Sequence, residues 1–76
     1  MEKSEIVEIL EVLRPQFNIE IHDTSFMLIT GIISVSVTYS QVLSLHESDG
    51  SITINMKKSH IVFYTIEHRI RVVIFS

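Results

Sequence analysis

The chain has no cysteine, one proline and two glycines in 76 residues. Without cysteine, no disulfide can staple a small fold, and the chain suits the reducing cytoplasm, which is the expected location. A long apolar run is also missing. The charge-free stretch from Thr24 to Leu45 is interrupted by Thr, Ser and Gln and alternates apolar with polar residues. That is a strand signature, and it excludes a membrane helix of about 20 apolar residues. Met1-Glu2-Lys3-Ser4 runs directly into Glu5, Glu8 and Glu11, unlike the basic start and apolar core of a secretory signal. No strong excess of one charge is present, since six Lys and Arg against nine Asp and Glu give a net charge of −3 with neutral histidines. A mildly acidic chain is poorly suited to non-specific duplex binding, although a local cluster of cations can still hold phosphates.

What is present is a globular balance, with 46% hydrophobic and 20% charged residues. The chain should fold as one domain spanning 1–76. A chain of this length removes only ~60% of its unfolded surface from water, so its core is thin and self-association is favoured.

The spacing of Ile6, Ile9, Leu10 and Leu13 predicts an amphipathic helix capped by Ser4 and stopped by Pro15, with Glu5 suited to the positive end of its dipole. After the proline the period changes from helical to alternating. Phe17, Ile19 and Ile21 share one face of a strand, and Asp23-Thr24-Ser25 reads as a turn. From Phe26 onward a long strand is expected, with Gly31 permitting a bulge or sharp bend and Ile33, Val35, Val37 and Tyr39 on one side. Val42 to Leu45 leads to Asp49-Gly50, which supplies the positive φ of a tight hairpin. Ile52, Ile54 and Met56 then alternate with polar residues as far as a break at Lys57-Lys58-Ser59. Runs from Ile61 to Ile66 and from Ile70 to Phe75 follow, joined through Glu67-His68-Arg69. The expected architecture is therefore α+β. A short helix at about residues 4–14 precedes a strongly bent antiparallel sheet of five or six strands over about residues 17–75.

Catalytic chemistry finds little support. His22, His46, His60 and His68 have no ligand spacing, no Gly-x-Ser-x-Gly elbow accompanies the serines, and neither glycine lies in a phosphate-cradling loop. No enzyme activity, metal or cofactor is expected. The densest basic stretch is Lys57-Lys58 with His60, followed by Arg69 and Arg71; with Tyr39, Phe63 and Tyr64 it supplies the cations and aromatic rings that hold single-stranded nucleic acid. The final run sets apolar side chains on both faces of a strand, so Val72, Val73, Ile74 and Phe75 either close a barrel within the subunit or pair with another copy.

The order of helix, strand, long bent strand with a central Gly31, hairpin at Ser48-Asp49-Gly50, strand, basic break and terminal strand resembles the Sm-like small β-barrel family, its Hfq-type members in particular. Ile54-Asn55-Met56-Lys57-Lys58-Ser59-His60-Ile61 is similar to that family's Tyr-Lys-His segment, with Lys58 in place of the histidine. Two features depart from it: Val37-Thr38-Tyr39-Ser40-Gln41 lacks the acidic-asparagine signature, and Ile70 to Phe75 is an additional apolar run. The resemblance implies a hexameric or heptameric ring joined by strand pairing, with single-stranded RNA on its face. Lys57 and Lys58 would lie near the RNA and Tyr39 would stack on a base. The residues thus give Tyr39, Lys57, Lys58 and His60 as candidate RNA contacts, and Val72 to Phe75 as a candidate homo-oligomer interface. The alternative is a small protein-protein interaction, assembly or inhibitor domain with no nucleic-acid role.

Overall fold

In the computed structural model, which describes residues 1–64 and 69–74, helix α1 covers Lys3–Leu13. Seven described strands follow: β1 Ile19–Ile21, β2 Ser25–Ile29, β3 Ser34–Thr38, β4 Val42–Ser48, β5 Ser51–Met56, β6 Ser59–Tyr64 and β7 Arg69–Ile74. A single 3-10 turn, Tyr39–Gln41, joins β3 to β4. The α+β class is as expected from the change of period at Pro15.

The helix starts earlier than Ser4 would allow as its cap. Glu2 holds the cap position with extended backbone and no side-chain cap bond, and the Ile6 amide donates to its carbonyl at 3.1 Å. Ser4 therefore lies inside the first turn. At the other end the amides of Gln16 and Phe17 both donate to the Leu13 carbonyl, which closes the helix around Pro15. Ile6, Leu10 and Leu13 are buried, while Val12 on the opposite side is 73% exposed.

The strands form two antiparallel sheets, β1-β2-β3 and β4-β5-β6-β7, rather than one bent sheet of five or six. The described residues form no closed barrel. The long second strand expected across Gly31 is in fact two strands, β2 and β3, paired from Ser25 opposite Thr38 to Ile29 opposite Ser34. Thr30 makes the reversal. Its amide donates to the Ile33 carbonyl at 2.7 Å, and its hydroxyl oxygen accepts from the Ile33 amide at 3.0 Å. Thr30 and Ile33 satisfy each other's polar groups without left-handed backbone at Gly31, whose added Cβ would meet nothing within 4 Å.

Asp49-Gly50 behaves as its sequence predicts. Both residues have positive φ, 45° and 81°, and Ser48 lies opposite Ser51 across the turn. The two glycines should therefore respond oppositely to alanine. Gly31→Ala is expected to gain about 0.4–1 kcal/mol by restricting the unfolded chain, and Gly50→Ala to lose more than that through strain. Urea unfolding of both variants measures the difference.

Alternation decides which side chains enter the core. In the second sheet Leu45, Ile54, Ile61 and Val72 stand in one cross-strand row, and Ile52, Phe63 and Ile70 in the next. Leu45, Ile52, Ile54, Ile61 and Phe63 of these rows join Phe26, Leu28 and Val37 of the first sheet and Ile6, Leu10 and Leu13 of α1 in one buried cluster, with Ile70 packed against it. Phe17 bridges to the second sheet, its ring centroid 5.2 Å from that of Phe63.

The cover stops short of β7. Val72 is 48% and Ile74 78% exposed although both point to the inner side, and β7 is an outer strand of its sheet. The helix does not close over this strand. Phe75 and the connection through Glu67 and His68 lie outside the described residues.

Candidate nucleic-acid interface

Apart from Glu47 on β4, the inner rows of the second sheet are apolar, so the intervening positions must face outward. Three outer rows follow from the register. Ser44, Asn55, His60 and Val73 form one, His46, Thr53, Val62 and Arg71 the second, and Ser48, Ser51, Tyr64 and Arg69 the third. None of these side chains is buried, and none is a carboxylate. The Asn55 amide donates to the Ser44 hydroxyl at 2.9 Å, fixing the first row across the strands.

Charge is partitioned between this face and the helix side. Lys57 and Lys58 form the exposed turn between β5 and β6, and Arg69 and Arg71 project from β7. Glu5 and Glu8 instead line a groove against α1 together with Glu47 of β4, which occupies an inner-row position opposite Ile52. The ion pairs among the described residues follow the same division. Lys3 meets Asp23 at 3.3 Å, Arg14 meets Glu11 at 3.4 Å, and His22 Nε2 lies 3.1 Å from Glu20. Lys57, Lys58 and Arg71 have no carboxylate partner among the described residues. They are available to phosphate.

The three aromatic residues that the sequence groups with these cations part company in the fold. Phe63 is buried. Tyr39 is 5% exposed, its ring 5.6 Å from Phe26, and its hydroxyl donates to the His22 carbonyl at 2.7 Å. A ring held this way offers no open face to a base. Tyr64 is half-buried on the outer face, with the Arg69 guanidinium 4.8 Å from its ring centroid. This pair presents a cation beside a planar surface, the combination used in stacking on unpaired bases. Of the four candidate RNA contacts, the structure groups Lys57, Lys58 and His60 around β5 and β6 and places Tyr39 in the core. The signal that singles out Tyr64 is parity, because it alternates with Phe63 and shares its face with His60 and Arg71.

Burial raises the Tyr39 phenol above the ordinary value of 10.0, because the charged form would lose water; the nearby Lys3 ammonium partly opposes the shift. A proton held more tightly in the folded state stabilises it below the unfolded pKa. That contribution is lost as pH rises through the folded value. We expect stability to fall above about pH 10. Tyr39→Phe should flatten this alkaline limb and cost about 0.5–1.5 kcal/mol at neutral pH for the bond to His22. Urea unfolding across pH checks both.

Among the described residues no three His, Cys, Asp or Glu side chains converge as a metal site, and no helix is long and apolar enough to cross a membrane. In comparisons with known proteins, no family model, curated protein or solved structure matches the chain.

Proposed function

We propose that the chain is a non-enzymatic cytoplasmic module that binds single-stranded RNA on the outer face of its four-stranded sheet and associates with copies of itself through β7. The observation that carries this reading is the charge partition. A chain of net charge −3 gathers Lys57, Lys58, Arg69 and Arg71 on and beside one sheet face that has no carboxylate in its rows. A largely polar sheet face with one accessible ring suits unpaired bases, whereas a duplex would ask for a longer basic track. An Sm-like RNA-binding module is the specific form of this reading, supported by the order of helix, antiparallel meander and lysine turn.

A protein partner without nucleic acid is the second reading, favoured by the exposed apolar side chains of Val72 and Ile74. Salt separates the two. Affinity for labelled hexauridylate should fall steeply between low and physiological salt if cations hold its phosphates, whereas an apolar protein contact should persist. A wild-type chain that binds no oligonucleotide at low salt would leave the protein-partner reading in place.

A further inference from the structure

Where the two sheets part, a groove runs between the 3-10 turn and the Lys57-Lys58 turn. Leu43 and Met56 give it its apolar lining, and Ser40 and Gln41 line it as well. Leu43 reaches this position through a β-bulge. Val42 pairs with Met56 and Ser44 with Asn55, so Leu43 is the extra residue between two registered pairs. A bulge re-aims a side chain that regular pairing would place elsewhere, and here it leaves a leucine 62% exposed beside two lysines.

We infer that this groove is a single-nucleotide subsite, in which a base lies against Leu43 and Met56 while its phosphate meets Lys57 and Lys58. The inference rests on the RNA reading and adds a place for one unstacked base. Charge complementarity selects the occupant. The groove lining contains two cations and no carboxylate, while the apolar groove against α1 carries Glu5, Glu8 and Glu47 and would repel a phosphate. Apolar contact satisfies a base's flat face, and the Gln41 amide, with both donor and acceptor, can pair with its polar edge. A thioether adapts to an aromatic surface, which suits Met56 to contact with a base.

The test uses the full chain with methyl-labelled Met and Leu, titrated with hexauridylate and hexaadenylate at low salt. The Met56 and Leu43 methyl resonances should move with ring-current shifts that saturate together with binding. Leu43→Ala should weaken binding about fivefold, the low end of what base stacking contributes. Leu43 is largely exposed, so this variant should keep its fold, and an unchanged dichroism spectrum verifies that. Hexanucleotide binding that leaves both methyls and the Leu43→Ala affinity unchanged would overturn the subsite while sparing the RNA reading. Absence of binding by the wild type would overturn both. Methyl shifts produced only by anionic lipid vesicles, and not by either oligonucleotide, would assign the groove to another ligand and reject the nucleotide.

Discussion

Lys57→Glu combined with Lys58→Glu is expected to weaken binding of single-stranded RNA about 100-fold at low salt. Hydrogen bonds to charged groups are each worth about 1.5–3 kcal/mol, and each 1.4 kcal/mol is tenfold in affinity, so two lost phosphate contacts reach this magnitude. The salt dependence should change as well. A single strand contributes a slope of about 0.7 per neutralised phosphate, so the double variant should flatten the log-log plot by about 1.4. Both lysines are exposed at a turn, and neither has a carboxylate partner among the described residues, so the loss should come without unfolding. Fluorescence anisotropy across a salt series measures affinity and slope together. Unchanged affinity in the double variant would remove the phosphate role from this turn.

That expectation draws on features legible in residue order. Lys57-Lys58 interrupts two alternating runs, and Asp49-Gly50 marks a hairpin whose positive φ values the structure shows. Parity also contained the correct location of Tyr39. It follows Val35 and Val37 at steps of two, and Val37 is buried beside Phe26 and Leu28. The Sm-like resemblance instead drew Tyr39 toward a surface role. The reversal at Thr30 was harder to read, because its turn is made by a threonine side chain bonding to Ile33 rather than by a left-handed residue. Gly31 therefore looked like a bend within one strand. The division into two sheets falls between β3 and β4, where the run of neighbouring pairings stops at the 3-10 turn, and alternation within each strand carries no information about which neighbours pair. Leu43 presents the same difficulty on a smaller scale. Its exposure arises from a register shift relative to β5, visible only once the pairing is known.

Ile74→Lys is expected to convert a self-associated chain to monomer. The parity of β7 places Ile70, Val72 and Ile74 on the inner side, where cover declines until Ile74 is 78% exposed, while Arg69, Arg71 and Val73 face outward. An outer strand with this pattern leaves both backbone hydrogen-bonding groups and apolar side chains to be satisfied. Antiparallel pairing about a two-fold axis, with Val72 opposite its own copy, would set Ile70 against Ile74 and Arg71 against Val73. Moving the axis to Arg71 would oppose two like charges, which is destabilising. Covering a large apolar side chain is worth about 1.5–3 kcal/mol, so the contributions of Val72 and Ile74 from each copy can sustain association beyond the backbone bonds. A lysine at position 74 would place an unpaired charge in that contact. Because Ile74 is so exposed, the substitution should leave the subunit fold intact, and light scattering across a concentration series would then show monomer mass only. A wild type that is itself monomeric at tens of micromolar would reject β7 pairing. The joined sheets would also bring Arg69 and Arg71 of two copies toward each other on the outer side. A bound polyanion relieves that repulsion, and reciprocal linkage then requires hexauridylate to strengthen association and association to strengthen hexauridylate binding. Adding the oligonucleotide should shift the wild-type scattering curve to lower protein concentration, and the Ile74→Lys chain should show no such shift.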